Sequence, residues 1–150
     1  MKKTDHCGLP GKFKAWLYQN SLLPRLIWPL MLYEDPSSTV DALERITSRH
    51  LRKWLGIPPS FTSKGLHGKS NKLQLPLSSL VEEFKTTKTR LVLALRDSPD
   101  ERIRDARIVT RTDRKWSATE TVSLTESSLK HKYIVGMTAV GRQSIGATRT

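Results

Sequence analysis

The stretch Ser38-Thr39-Val40-Asp41-Ala42-Leu43-Glu44-Arg45-Ile46-Thr47-Ser48-Arg49-His50-Leu51-Arg52-Lys53-Trp54-Leu55-Gly56 decides the fold. At about 100° per residue, Val40, Leu43, Ile46, His50, Leu51 and Trp54 share one arc. Arg45, Arg49, Arg52 and Lys53 share the opposite arc. A helix so divided has one side for a core and one for water or an anion. Ser38, with Asp41 three residues on, reads as a variant capping box. Gly56 supplies a left-handed stop, and Pro58-Pro59 forbid continuation. The pattern predicts a helix over 38–55 that buries Leu43, Ile46, His50 and Trp54.

Upstream, Phe13, Trp16, Leu17 and Asn20 fall at helical spacing and predict a helix from about Lys12. Pro24 is expected to break or kink it, because proline lacks a backbone donor and clashes with the preceding turn. A second apolar helix follows from Arg25 to Tyr33, with Pro29 as a further kink and Glu34-Asp35-Pro36-Ser37 as a turn. Residues 1–11 read as an irregular arm ending in Gly8-Leu9-Pro10-Gly11.

Downstream, residues 57–76 form a long basic loop with Lys64, Lys69 and Lys72 and no acidic residue. Ser79 and Glu82 then box a helix whose stripe is Leu80, Phe84, Leu91 and Leu95. Ser98-Pro99 ends it. Residues 100–113 mix both charge signs around Ile103, Ala106, Ile108 and Val109, where a short helix fits. Ser117 and Glu120 box a last helix that reaches about Tyr133 through Val122 and Leu129. Residues 135–150 read as a flexible tail carrying Gly136, Gly141 and Gly146. No run alternates with strand period, so the fold class is all-α.

Composition narrows the partner. The chain has 150 residues, with 26 Lys and Arg against 14 Asp and Glu, a net charge of +12. A pI near 10.2 argues for a polyanionic partner, most often nucleic acid. The apolar fraction of 37% and mean hydropathy of -0.46 leave part of the chain outside any core. Cys7 is the one cysteine, so an internal disulfide is impossible, and His6 beside it is too little for a thiolate zinc site. The N-terminus has no apolar run behind its charges, unlike a signal peptide. The most apolar stretch, Trp16 to Tyr33, is interrupted by Gln19, Asn20, Pro24, Arg25 and Pro29 too often to span a bilayer. The expectation is an intracellular, unsecreted protein, compatible with the nucleus and without a membrane partner.

Cations at i, i+4, i+7 and i+8 on one helix can meet successive backbone phosphates with little ordering cost. Arg45, Arg49, Arg52 and Lys53 are therefore the first candidate nucleic-acid contacts. The competing reading is a solvated face, with Asp41 and Glu44 taking some charge into local pairs. Lys64, Lys69 and Lys72 around Gly65 and Gly68 suggest a second phosphate contact, set against a plain surface loop. Trp16, Trp28, Trp54 and Trp116 could stack on bases, but at helical spacing among leucines they read first as core. Trp116, between Lys115 and Ser117 with Arg114 nearby, is the best base-stacking candidate.

Catalytic patterns fail. His6, His50, His67 and His131 lack metal-ligand spacing, and His50 reads as a core residue. Gly136 to Gly141 has Walker-like glycine spacing, but Arg142-Gln143 follow where Lys and a hydroxyl residue are required. Asp97 and Asp100 flank a turn rather than forming a metal-binding pair. The expectation is no catalytic centre, no metal and no cofactor.

The run Gly11-Lys12-Phe13-Lys14-Ala15-Trp16, followed by Leu23-Pro24-Arg25-Leu26-Ile27-Trp28-Pro29-Leu30, resembles the segment after the polymerase palm in reverse transcriptases of non-long-terminal-repeat (LINE-type) retrotransposons. The likeness continues through Leu51-Arg52-Lys53-Trp54-Leu55-Gly56-Ile57-Pro58, Leu75-Pro76-Leu77-Ser78-Ser79-Leu80 and Glu82-Glu83-Phe84-Lys85. It ends with Arg114-Lys115-Trp116 and Leu129-Lys130-His131-Lys132-Tyr133-Ile134-Val135-Gly136. Order and spacing carry it, not any single motif. The resemblance implies a thumb-like helical bundle over 12–56 and a partly irregular helical linker over 77–134. In such enzymes the thumb grips RNA, DNA or hybrid duplex while a palm does the chemistry. The palm's paired aspartates and a downstream zinc knuckle are missing here. A non-catalytic template–primer binding module is therefore implied, with a polymerase palm as a further partner. The alternative class is a structural or interaction protein, or a relic without a specific ligand.

Overall fold

The computed structural model describes residues 1–68, 77–110 and 114–131. It is all-α, with no strand among the described residues. The elements are α1 (Lys2–Asp5), α2 (Gly11–Leu17), a wide π turn (Tyr18–Leu22), α3 (Leu23–Leu32), α4 (Ser37–Leu55), α5 (Ser63–His67), α6 (Leu80–Arg96) and α7 (Glu101–Asp105). A final helix, α8, covers 118–131. The tail beyond it, Lys69 and Lys72 lie outside the described residues.

The central helix α4 forms where its sequence places it, with two corrections. It begins one residue early, at Ser37, with Pro36 at the N-cap and no side-chain cap, so the Ser38–Asp41 box does not cap it. Its buried stripe is Val40, Thr47, Ser48 and Leu51, rotated from the expected one. Ile46 is 47% exposed, and Leu43, His50 and Trp54 are only half-buried. Thr47 and Ser48 can lie inside because each is satisfied. Thr47 Oγ1 donates to the Glu44 carbonyl at 3.0 Å, and Ser48 Oγ pairs with His67 Nε2 at 3.3 Å. The C-terminus closes as read. Gly56 sits at φ 66°, with its N–H on the Lys53 carbonyl at 3.4 Å and the Ile57 N–H on the Arg52 carbonyl at 2.9 Å. Those two bonds satisfy carbonyls that a helix end otherwise leaves bare.

Pro24 does not break the chain. α2, the π turn and α3 run on from Gly11 to Leu32. In the π turn the Leu23 N–H bonds the Tyr18 carbonyl, five residues back, and the widened register removes the carbonyl clash that proline would meet in a regular turn. Pro24 and Pro29 both lie on the exposed side, where water can take the freed carbonyls. Ala15, Tyr18, Leu23 and Leu30 face inward. Trp16 and Trp28, expected in the core, are 57% and 63% exposed. The tryptophans follow the polar side of the helix because its inward side is filled by smaller residues and by Tyr18.

The core draws on both sides of the basic loop. Leu77, Leu80 and Phe84 join Tyr18, Leu23, Leu30, Val40 and Leu51 in one cluster. α6 is capped as predicted, with Ser79 Oγ accepting the Glu82 N–H at 3.3 Å. Its stripe holds a cation: Lys88 is 2% exposed and continues the line of Leu80 and Phe84. Lys88 Nζ donates to the carbonyls of Met31 at 2.8 Å and Tyr33 at 3.0 Å, closing the end of α3 from the neighbouring helix. Leu91 and Leu95 are only half-buried.

The remaining parts are lighter. Residues 1–11 are not wholly irregular, because α1 docks on α4: Asp5 accepts from Trp54 Nε1 at 2.6 Å and pairs with His50 Nδ1 at 2.9 Å. Lys14 Nζ donates to the Asp5 carbonyl at 3.0 Å. α7 is capped by Asp100, which accepts the Arg102 N–H. Ile103, Ala106, Ile108 and Val109 are exposed and do not anchor it. Ser117 caps α8 through the Glu120 N–H at 3.4 Å; Ala118 and Val122 are buried, and Leu129 is exposed.

Candidate nucleic-acid interface

The last turns of α4 carry cations on the side away from the core, and the chain after Gly56 folds back to make a wall beside them. Thr62 caps α5 by accepting the Gly65 N–H at 3.2 Å, and Leu66 is buried, so the predicted loop contains a short helix at this point. The Gly65 Cα lies against Phe61, where a built Cβ would come within 2.6 Å of the ring. Only glycine permits that approach without moving the ring.

Between α4 and this wall lies an open groove of about 790 Å³. Arg45, Arg49, Arg52 and Lys53 all line it, so the structure brings together the four helical cations read from the sequence. Arg45, Arg49 and Lys53 are exposed, and Arg52 is half-buried. Gly56, Ile57, Pro59 and Ser63 form the wall, while Asp41 and Glu44 close the end nearer the start of α4. Charge is therefore graded along the groove, from acidic at one end to basic at the other. At the basic end the four like charges repel one another and favour an anion.

The wall is fixed by a polar cluster. His67 Nδ1 donates to the Leu77 carbonyl at 3.3 Å, which leaves Nε2 to accept from Ser48 Oγ. Glu44 accepts from Ser79 Oγ at 2.5 Å and lies 3.6 Å from His67 Nε2. Gln19 bonds both the hydroxyl and the backbone N–H of Ser78, each at 2.8 Å. The two described ends of the basic loop are thus tied to α4 and to the π turn. Ser48, His67 and Glu44 do not form a relay for nucleophilic attack, since both Ser48 and Glu44 meet the same ring nitrogen.

Lys64 is exposed on α5 but does not line the groove, and Lys69 and Lys72 lie outside the described residues. Trp116 is not free to stack on a base: it is half-buried against Phe84, ring centroids 6.1 Å apart, with Lys85 Nζ 5.9 Å from its centre. His50 is held by Asp5 rather than by a wholly apolar core. The Trp54 indole N–H first, and His50 next, hold the Asp5 carboxyl below the usual carboxylate range.

Two features escaped the sequence. Ser63 reaches the groove and accepts from Arg52 Nη2 at 3.2 Å; Thr62, a capping residue type, is the one local signal for the short helix that places it. The run from α2 to α3 also exposes Phe13, Trp16, Trp28 and Leu32, all more than half open to solvent.

Among the described residues no three His, Cys, Asp or Glu side chains could hold a metal ion, and no helix is long and apolar enough to cross a membrane. No family model, curated protein or solved structure matches the chain.

Proposed function

We propose that this chain is a non-catalytic module that binds the phosphate backbone of nucleic acid, as the thumb of a reverse-transcriptase-like protein would, with polymerase chemistry belonging to a separate palm. The observation that carries this reading is the groove lined by Arg45, Arg49, Arg52 and Lys53. The helix backbone holds these cations at fixed spacing, which lowers the ordering cost, and backbone contacts of this kind position a partner without reading its sequence. The overall charge of +12 adds long-range attraction. The proposed compartment is intracellular, where such a partner resides.

The test is fluorescence anisotropy with duplex DNA, duplex RNA and hybrid probes across a salt series. If each of the four cations neutralises one phosphate, log K falls with log salt at a slope of about −3 to −4. The Arg49→Glu/Arg52→Glu double variant weakens binding and flattens that slope, with helicity unchanged by circular dichroism. Retention of parental affinity and slope by that variant would sink the reading.

A second reading, an interaction protein, is favoured by the exposure of Phe13, Trp16, Trp28 and Leu32 on α2 and α3, since large exposed apolar side chains are used in protein contacts. It predicts no salt-dependent nucleic-acid binding at all.

A further inference from the structure

We infer that Arg52 is a dedicated phosphate anchor within the groove, distinct in kind from the three other cations. The inference rests on the backbone-binding reading for its natural ligand and deepens it, by assigning one phosphate of the strand to one side chain.

Arg45, Arg49 and Lys53 are exposed, their long side chains reaching into solvent. Arg52 differs in three respects. It is half-buried, one turn before the Gly56 stop, against the Pro59–Ser63 wall. One end of its guanidinium is fixed, with Nη2 donating to Ser63 Oγ at 3.2 Å. Its Nε is buried and has no hydrogen-bond partner.

A buried guanidinium donor without an acceptor is unfavourable, because desolvation is not repaid by a bond. Tyr18 Oη is the one other buried side-chain polar atom left so among the described residues; Tyr18 is a core residue and does not line the groove. Arg52, the side chain that carries this orphan Nε, lines the groove of about 790 Å³. An anion entering the groove removes the deficit. A small outward swing of the side chain turns Nε and one Nη toward a phosphate, whose two oxygens match the fork. The Ser63 hydroxyl, which accepts from Arg52 Nη2, keeps its own O–H to donate to one of the same oxygens. Lysine cannot do this. It carries the same charge but no fork and no Nε donor. The ligand is a tetrahedral phosphate, either one unit of a nucleic-acid backbone or free inorganic phosphate.

The experiment has two arms. In the first, side-chain Nε–Hε signals of the arginines are followed by NMR in the parent chain while inorganic phosphate is added. The Arg52 signal is expected to shift saturably and ahead of those of Arg45 and Arg49. Absence of any Arg52 shift, or equal shifts in all three, overturns the anchor. In the second arm, Arg52→Lys and Arg49→Lys are compared on a duplex probe. Arg52→Lys is expected to weaken binding roughly tenfold with the salt slope unchanged, because charge is kept and geometry lost, while Arg49→Lys is close to neutral. Equal behaviour of the two variants overturns the anchor and leaves the backbone-binding reading standing. A parent chain that binds no duplex but shows the saturable Arg52 shift overturns that reading and supports the anchor for phosphate alone.

Discussion

Gly11→Ala pits two physical effects against each other, and their sizes decide the sign. Gly11 is the first residue of α2. On propensity alone, alanine for glycine in a helix stabilises by about 0.5–1 kcal/mol, and it also lowers unfolded-state entropy. Packing says the opposite. A Cβ built on Gly11 falls 1.6 Å from the Trp54 carbonyl oxygen and 2.6 Å from its carbon. Both are backbone atoms in the last turn of α4, next to the Gly56 stop, so neither can rotate away. Ordinary contact returns only if α2 retreats by roughly 2 Å, which loosens Ala15 and Tyr18 from the core. Overpacking of this kind costs about 1–3 kcal/mol, more than propensity returns. The expected result is a net loss of about 1–2 kcal/mol, read as a lower urea midpoint with unchanged slope. Gly8→Ala is the control, because nothing lies within 4 Å of a Cβ there. A Gly11→Ala chain as stable as the parent, or more so, would refute the close approach of α2 to α4.

Other perturbations report on other parts. Burial pushes the Tyr18 hydroxyl up to about 12 from its ordinary value of 10. The folded state therefore holds its proton longer than the unfolded state; stability is full below pH 10 and falls by about 2–3 kcal/mol as pH climbs through 12. Tyr18→Phe removes that alkaline loss and leaves neutral-pH stability within about 1 kcal/mol, since the hydroxyl has no partner to lose; an alkaline titration that matches the parent's counts against it. The Asp5 carboxyl is lowered, first by Trp54, so its contribution is present above the ordinary carboxylate range and lost as acid protonates it. Asp5→Asn should blue-shift or red-shift Trp54 fluorescence at neutral pH and abolish the parent's acid-dependent change; a pH response that survives the substitution places its cause elsewhere. Lys88→Met leaves the Met31 and Tyr33 carbonyls without their donor and should cost about 1–3 kcal/mol by chemical denaturation, whereas an unchanged midpoint would show that water replaces the amine.

Local rules in the sequence determined the all-α class, the stop at Gly56, the Ser79 and Ser117 caps and the grouping of Arg45, Arg49, Arg52 and Lys53 on one side of one helix. Each of these depends on residues within a turn or two of one another, where spacing alone sets geometry. Tertiary structure decided which apolar residues are inside. Ile46, Trp16 and Trp28 lie out because Thr47, Ser48 and Tyr18 fill the helix–helix contacts, and a hydroxyl is acceptable there once His67 or a carbonyl meets it. It also decided that Lys88 is interior, since only the arrival of the α3 carboxyl end gives its charge an acceptor. The groove needed both kinds of information. Its cations were legible as a helical stripe, but its wall was not, because Ser63 meets Arg52 through a fold-back that no periodicity encodes. Gly11 makes the same point most plainly: its lack of a side chain has no local signature, and its reason is a carbonyl forty-three residues away.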